Sequence, residues 1–367
     1  MGPHPQRAAG KERGDNDVSY RIIQWATGAI GKTCLRQIID HPDLELVGLY
    51  VHSDRKVGQD AGDIARRPKT GVIATNSEDE IVALKADCVL YIPLNAGDVK
   101  SHDRTIQRLL RSGKNVITTV AHIYPKAIGE KYAEGFEAAC REGGTTLFGT
   151  GINPGFITER IAVAMTGTCT HVDDVTVTEV YNLAEVQSVP FIFDLVGAGK
   201  PLKFFTDGGT PLHAVFEHIF GEVIGYTGVA LQTKYDKIVA DHEFGVAQKD
   251  VHLAAGKVAA GGVINFRWRW RGLVAERPFF TIQMLWIGDR TMPGWDKNDG
   301  WEIDIRGAPG IHMRIDLVEP EGLKDRSKAM QYCVAGPVIR AIPTICKAPP
   351  GILVLPAFAP YTPRMFP

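Results

Sequence analysis

The chain has 367 residues, of which 44% are hydrophobic and 23% are charged, as is usual for a globular protein. This length predicts more than one domain. The net charge of -1 gives no overall attraction to nucleic acid or to an anionic membrane, so neither is expected as a partner. Residues 1–18 are polar and lack the apolar core of a secretory signal, so we interpret them as a disordered tail and expect a cytoplasmic protein.

The cysteines and the apolar runs argue against a cysteine metal site and against a membrane-spanning helix. The six cysteines are scattered and form no C-x-x-C pair, which indicates reduced thiols and no metal site. No apolar run reaches the roughly 20 residues that a membrane-spanning helix needs.

The segment 21–51 predicts a strand, a tight turn, a helix and a second strand, which is the size of one βαβ unit. Ala26, Gly28 and Gly31 occupy the positions of an A-x-G-x-x-G dinucleotide fingerprint, although an ordinary βα turn is the alternative. Gly28 would let the backbone approach a pyrophosphate, and Gly31 would let the helix pack close to the strand. With the helix N-terminus holding the phosphates, the expected cofactor contacts are Thr27, Gly28, Ala29, Ile30 and Gly31.

Strands and helices continue to alternate up to residue 150. The patterns predict strands over 71–75, 86–92, 115–119 and 145–150, and helices over 77–85, 101–112 and 126–142. Ser77 and Glu80 have the spacing of a capping box at the start of the first of these helices. Six short apolar strands separated by helices predict an α/β fold with a doubly wound, parallel Rossmann sheet.

Beyond about residue 157, alternation of period two predicts a mainly antiparallel sheet in a second, α+β domain. In the strand 263–271, aromatic residues alternate with Arg267, Arg269 and Arg271. We interpret this as one packed face and one solvated or subunit-facing face, because the neutral net charge disfavours nucleic-acid binding. A helix over 329–345 is expected to pack back on the first domain, with a proline-rich loop from residue 347.

The predicted organisation has four parts. These are a disordered tail (1–18), an NAD(P)-binding Rossmann domain (19–155), a substrate and dimerisation domain (156–325), and a C-terminal helix and tail (326–367).

The tip of the second strand bears on the choice of cofactor. NAD enzymes usually place an acidic residue there, whereas this chain has His52 and Ser53, followed by Arg55 and Lys56. Ser53 and the two cations suit a 2'-phosphate, which favours NADP over NAD. Asp54 would serve NAD if the turn were longer, and a plain solvated loop is the third interpretation.

Several motifs together resemble the dihydrodipicolinate reductase-like family that includes 2,4-diaminopentanoate dehydrogenase and the native amine dehydrogenases. The motifs are Gln24–Gly31, Gly149–Phe156, Val196–Gly199 and Ala348–Gly351, and the G-x-N-P-G-F loop is the most specific of them. The resemblance implies hydride transfer between NAD(P) and the carbon of a C–N bond, and a homodimer formed through the second domain. It also implies that the cofactor is lined by Pro93, Leu94, Asn95, Thr119, Asn153 and Pro154.

The chain departs from this family at the proposed site of catalysis. Amine-active members carry acidic residues before a Tyr-Pro pair, but this chain has His122 and no carboxylate before Tyr124-Pro125. His122 could act as a general base near neutral pH or donate to a carbonyl oxygen, and Tyr124 is a second candidate proton donor. Several polar residues of the second domain could also reach the cleft, and the sequence does not show which of them faces the cofactor. They are Glu179, Tyr181, Glu185, Asp194, Asp207, His213, Glu217 and His218.

The first functional hypothesis is an NADP-dependent oxidoreductase of the amine dehydrogenase type. Its substrate would be a small amine or carbonyl compound with an apolar part, because Phe191, Phe193, Phe204 and Phe205 indicate an apolar cleft. The missing carboxylate supports an alternative, a carbonyl or C=C reductase that does not use ammonia. A third hypothesis is a non-catalytic NADPH-binding sensor.

Overall fold

The computed structural model describes residues 19–95, 99–322 and 327–363, so the predicted tail over 1–18 lies outside the described residues. The elements of the first part, in chain order, are β1 (Tyr20–Trp25), α1 (Ala29–Asp40), β2 (Leu44–Tyr50), α2 (Ala61–Ala65), β3 (Ala74–Thr75), α3 (Glu78–Ala83), β4 (Cys88–Tyr91), α4 (Val99–Arg111), β5 (Asn115–Thr118), α5 (Glu130–Gly143) and β6 (Thr146–Gly149). The second part contains α6 (Val163–Thr166), β7 (His171–Asn182), α7 (Leu202–Thr206), α8 (Pro211–Ala230), β8 (Lys237–Ala240), β9 (Glu243–Val246), β10 (Val251–Leu253), β11 (Gly256–Val258), β12 (Val263–Val274), β13 (Arg277–Ile287), β14 (Gly300–Ala308), β15 (Ile311–Ile315), α9 (Ala329–Lys347) and β16 (Gly351–Ile352).

The first sheet is parallel, and its strands follow the order β16-β6-β5-β4-β1-β2-β3 in the described part of the chain. This is the doubly wound order, and it confirms the predicted Rossmann sheet with its switch point between β1 and β4. Ser77 accepts a hydrogen bond from the Glu80 backbone N–H, as predicted. The Ser77 N–H donates to Thr75 Oγ1 rather than to the Glu80 side chain, so the cap is not the full capping box.

Two predictions for the first part were wrong in detail. The proline-rich segment after residue 347 was expected to be a loop, but Gly351–Ile352 pairs with β6 as an additional parallel strand. The helix predicted over 126–142 is divided into a 3-10 turn, Pro125–Ala127, and α5, because Gly129 has a φ of +148° that no helix accommodates.

Helix α9 packs back on the first sheet, as its apolar periodicity predicted. Its buried residues Val338 and Ile342 share an apolar core with Ile22, Leu90 and Phe148 from β1, β4 and β6. The end of the chain therefore stabilises the Rossmann sheet although it follows the second part in sequence.

The second sheet has the order β15-β14-β7-β13-β12-β8, and β9 also pairs with β12. All pairs are antiparallel except β7 with β13, so the prediction of a mainly antiparallel sheet is confirmed. Its inner face, which carries Val175, Val177 and the aromatic residues of β12, is buried against α8.

The outer face of this sheet carries the arginines of β12. Arg269 forms ion pairs with Asp241 and Glu243, and Arg271 also pairs with Asp241. Because these guanidinium groups already have carboxylate partners, they are poorly suited to bind phosphates. This agrees with the interpretation of one packed face and one solvated or subunit-facing face.

Helix α8 was not predicted from the sequence. Its apolar residues lie on all sides, and residues as different as Leu212, Glu222 and Thr227 are buried. A helix that is buried all round has no amphipathic stripe, so periodicity does not reveal it. Across the described ranges, we find no helix long and apolar enough to span a membrane.

Candidate functional site

The turn between β1 and α1 has the shape that a dinucleotide phosphate requires. A Cβ on Gly31 would lie 2.3 Å from the Ala26 carbonyl oxygen, so only glycine allows α1 to start this close to β1. A Cβ on Gly28 would meet no atom within 4 Å, so the surface above this residue is open. The backbone N–H groups of the first turn of α1, from Ala29 to Gly31, are thus available to an anion.

Two lysines place positive charge beside this turn. Lys56 Nζ donates to the Thr27 carbonyl oxygen at 3.1 Å and to Thr27 Oγ1 at 2.7 Å. The pKa of Lys56 is lowered by its partial burial and by the nearby charge of Lys32. Neither lysine has a carboxylate partner in the part of the chain that the structure describes, so the pair favours an anionic ligand.

The other residues at the tip of β2 are exposed. His52, Ser53 and Arg55 lie on the surface, and Asp54 Oδ1 accepts a hydrogen bond of 3.0 Å from Asn76 Nδ2. Asp54 therefore already bonds to the neighbouring loop through one of its two carboxylate oxygens.

The loop after β4 contributes an unpaired acceptor. Asn95 Nδ2 donates to the Val120 carbonyl oxygen at 2.5 Å, while Asn95 Oδ1 is buried and no described residue donates a hydrogen bond to it. Pro93 is buried, Thr119 is half-buried, and Leu94 is 73% exposed. A buried acceptor without a donor costs free energy, so this arrangement fits a polar ligand that supplies the donor.

The loop after β6 depends on glycine and on a buried carboxyl group. Gly155 has a φ of +117°, and a Cβ there would lie 2.3 Å from the Gly151 backbone nitrogen. The Gly155 N–H donates to Glu159 Oε2 at 2.9 Å. Burial raises the pKa of Glu159 from its ordinary value of 4.5 to about 7, although the hydrogen bond from Gly155 acts in the opposite direction.

This loop brings Asn153 into contact with the second sheet. Asn153 Nδ2 donates to Glu179 Oε2 at 3.0 Å, and Trp301 Nε1 donates to the same oxygen at 3.0 Å. Glu179 lies on β7, two residues before Tyr181, so both side chains are on the inner face of the sheet. Burial raises the pKa of Glu179, and the hydrogen bonds from Asn153 and Trp301 oppose this rise.

A cavity of about 590 Å³ lies where the two parts of the chain meet. Leu94 enters it from the carboxyl edge of the first sheet, and Tyr181 and Phe191 enter it from the second part. The described residues that line it also include Val186, Ser188, Pro190, Asp194, Leu195 and Pro211. The wall is thus mainly apolar. Of the four phenylalanines predicted for the cleft, only Phe191 lines the cavity. Phe205, for example, packs in the core on Phe244 and Phe266.

His122 lies apart from this cavity in a buried polar network. Its side chain is 0% exposed, and Nε2 lies 2.9 Å from Asp103 Oδ1. Tyr132 donates to the same Asp103 oxygen at 3.1 Å and lies 3.4 Å from His218 Nε2 on α8. His218 in turn lies 3.2 Å from Glu222, so the network links the first part of the chain to α8.

Tyr124 is held at the edge of the same network. Its backbone N–H donates to Glu222 Oε2 at 3.1 Å, and its ring packs near Tyr226 of α8. Neither His122 nor Tyr124 is among the described residues that line the cavity.

Three side chains elsewhere have a spacing that a metal ion would accept: His213, Glu217 and His242. However, the Arg269 N–H donates to His242 Nδ1 at 3.1 Å, which leaves the ring proton on Nε2. That nitrogen lies 2.8 Å from Glu217 Oε1 and acts as a donor to it. Because a ligating histidine normally donates its second N–H outward, this polarity favours a hydrogen-bonded cluster over a metal centre.

The comparisons with known proteins agree with this architecture. Residues 156–360 match the family model of the 2,4-diaminopentanoate dehydrogenase C-terminal domain. The chain belongs to this family. The predicted family is therefore confirmed, and with it the predicted class of oxidoreductase.

Two relatives and one solved structure extend the similarity over most of the chain. An amine dehydrogenase of Streptomyces virginiae is 26% identical over 344 residues, which cover 90% of this chain and 93% of the relative. The 2,4-diaminopentanoate dehydrogenase of Acetoanaerobium sticklandii is 27% identical over 343 residues, covering 90% and 91%. The structure of an amine dehydrogenase from Mycobacterium smegmatis superposes with a TM-score of 0.73 at 20% identity, covering 91% of this chain and 94% of that one, and shows a common fold.

Removing the carboxyl group of Glu159 tests the description of the loop. The folded state holds the Glu159 proton to a pKa of about 7, against an ordinary value of 4.5, so ionisation destabilises the wild type as pH rises through this range. Relative to the wild type, Glu159→Gln should gain about 2–3 kcal/mol in free energy of unfolding between pH 5 and pH 8. Urea denaturation of both proteins at the two pH values measures this gain, and an equal difference at both values would contradict it.

Proposed function

We propose that the protein is an NADP-dependent oxidoreductase of the amine dehydrogenase type. The observation that supports this most directly is the cavity, which joins Leu94 of the expected cofactor loop to Tyr181 of the second sheet. Ligands of doubly wound sheets bind at the carboxyl ends of the strands, which is where this cavity opens. The bound cofactor supplies the hydride chemistry, and the protein positions the substrate and moves protons.

The cofactor would be held by the features already described. The first-turn amides from Ala29 to Gly31 suit the pyrophosphate, and Asn95 Oδ1 offers an acceptor farther along the same edge. Asn153 and Pro154 would stand near the nicotinamide, by analogy with the family. Lys56, with Ser53 and Arg55 on the same exposed turn, favours a 2'-phosphate, while Asp54 is engaged by Asn76.

The lining of the cavity narrows the substrate class. Its walls are apolar apart from Ser188 and Asp194, and none of the described lining residues is Lys or Arg. An amine, or the matching ketone or aldehyde, with an apolar body and no carboxylate fits these walls better than an amino acid. Diaminopentanoate carries a carboxylate, so this chain is expected to prefer a different amine from its relative of that name.

An ammonia-independent carbonyl reductase is the second candidate. The segment from Val120 to Pro125 carries no carboxylate, and this is the observation that favours it.

The outer face of the second sheet is the proposed surface of a homodimer. This face carries a groove of about 490 Å³ with both signs of charge, including Asp174, Arg271, Asp304 and Arg306. A two-fold axis would place such a mixed surface against its own copy, so that opposite charges could pair.

The reaction class is tested by oxidation of NADPH with a panel of apolar ketones and aldehydes. We expect oxidation that requires ammonium, because the imine rather than the carbonyl accepts the hydride. Equal rates with and without ammonium would instead establish the carbonyl reductase. Absence of turnover over the whole panel would overturn both candidates.

The cofactor assignment is tested by Lys56→Ala. Loss of a charge-assisted hydrogen bond to the 2'-phosphate should weaken NADPH binding by about 10-fold more than NADH binding. Fluorescence titration with each cofactor measures this ratio, and the exposed Lys234→Ala serves as a control of equal charge change. An unchanged preference in Lys56→Ala would contradict the assignment.

A further inference from the structure

Amine oxidation needs a group that removes a proton from the substrate nitrogen. At neutral pH an alkylamine is an ammonium ion, and its nitrogen must lose a proton before the carbon can lose hydride. His122 was predicted for such a role, but it is fully buried and its Nε2 faces Asp103. Tyr124 is likewise not among the described residues of the cavity wall.

Glu179 is not itself a lining residue, but unlike His122 it lies directly behind the cavity wall, two residues from Tyr181. It shares the inner face of β7 with Tyr181, which lines the cavity, and the two positions are roughly 7 Å apart along the strand. Its carboxylate accepts hydrogen bonds from Asn153 and Trp301 on Oε2, so Oε1 is occupied by neither. Asn153 belongs to the loop that would lie beside the nicotinamide.

We propose that Glu179 is the proton-transfer residue of the reaction, in place of the carboxylate that the loop after β5 lacks. The inference rests on the proposed amine dehydrogenase function. In the oxidative direction, Oε1 accepts one proton from the substrate ammonium, which leaves a neutral amine and a neutral carboxyl group. In the reductive direction the carboxyl group returns that proton to the amine nitrogen, and the product leaves as the ammonium ion.

The environment of Glu179 suits this role. Its hydrogen-bond partners Asn153 and Trp301 are neutral, and the titratable neighbour on its own strand, Tyr181, has a pKa raised by burial and by the charge of Glu179. Trp286, which also lies beside the carboxylate, is a neutral donor as well, and none of the described residues forms an ion pair with Glu179. The partly buried carboxylate is therefore a stronger base than an exposed one.

Glu179→Gln tests the inference because the amide can still accept from Asn153 and Trp301. We expect kcat for ammonium-dependent turnover of the best ketone in the panel to fall at least about 100-fold, while the Kd for NADPH stays within twofold. Asp173→Asn is the matched control. It makes the same type of change on the same strand, in an exposed residue that pairs with His171 roughly 20 Å from Glu179, and it should leave kcat unchanged.

Binding without turnover gives a second readout. Calorimetry on the cofactor-free protein compares the amine that corresponds to the best ketone with the matching alcohol. Glu179→Gln should weaken binding of the amine by about 10-fold and leave the alcohol unaffected, because only the ammonium ion pairs with the carboxylate.

The outcomes separate this inference from the proposed function. If the wild type shows ammonium-dependent turnover and folded Glu179→Gln matches it, the role of Glu179 is overturned while the function stands. If the wild type shows no such turnover, the function itself fails. Should Glu179→Gln not fold, Glu179→Asp replaces it, with at least a 10-fold loss of kcat expected and an unchanged kcat overturning the inference.

Discussion

The hydrogen bond from Asn153 to Glu179 joins the two sheets at the point where the proposed chemistry takes place. Asn153 follows the last strand of the Rossmann pattern, and Glu179 lies on the central strand β7 of the second sheet. A carboxylate that is partly buried needs donors, and they come from Asn153 in the loop after β6 and from Trp301 on the adjacent strand β14. The contact therefore holds the loop after β6 against the second sheet.

The loop after β6, which carries Asn153, has an unusual backbone. Gly155 occupies a conformation and a space that no other residue accepts, and Glu159 holds its N–H from within the core. The polar network around His122 supports the same junction from α5 and α8. Hydrogen bonds among Asp103, His122, Tyr132 and His218 connect the first part of the chain to α8 and stabilise their relative placement.

The local features of the fold could be predicted from the sequence. The residue proposed for proton transfer could not, because its partners are distant in the sequence. The turn around Gly31 and the Ser77 cap depend on residues within one turn of each other, so their spacing is informative. Helix α8 gave no signal because it is apolar on every side.

The burial of His122 depends on Asp103, 19 residues earlier, and on helix α5, so its neighbouring residues gave no indication of it. The sequence likewise gave Glu179 only as one of several polar residues that could reach the cleft. Its partners Asn153 and Trp301 are 26 and 122 residues away, and only the register of β7 with β14 shows which face it occupies.

A crystal structure of the protein with NADP⁺ and the amine that corresponds to its best ketone would test the proposed role of Glu179 directly. We expect the amine nitrogen to lie about 3 Å from a carboxylate oxygen of Glu179, with the apolar body of the amine against Tyr181 and Phe191. An amine nitrogen bonded instead to His122 or Tyr124, with Glu179 outside hydrogen-bond reach, would contradict it.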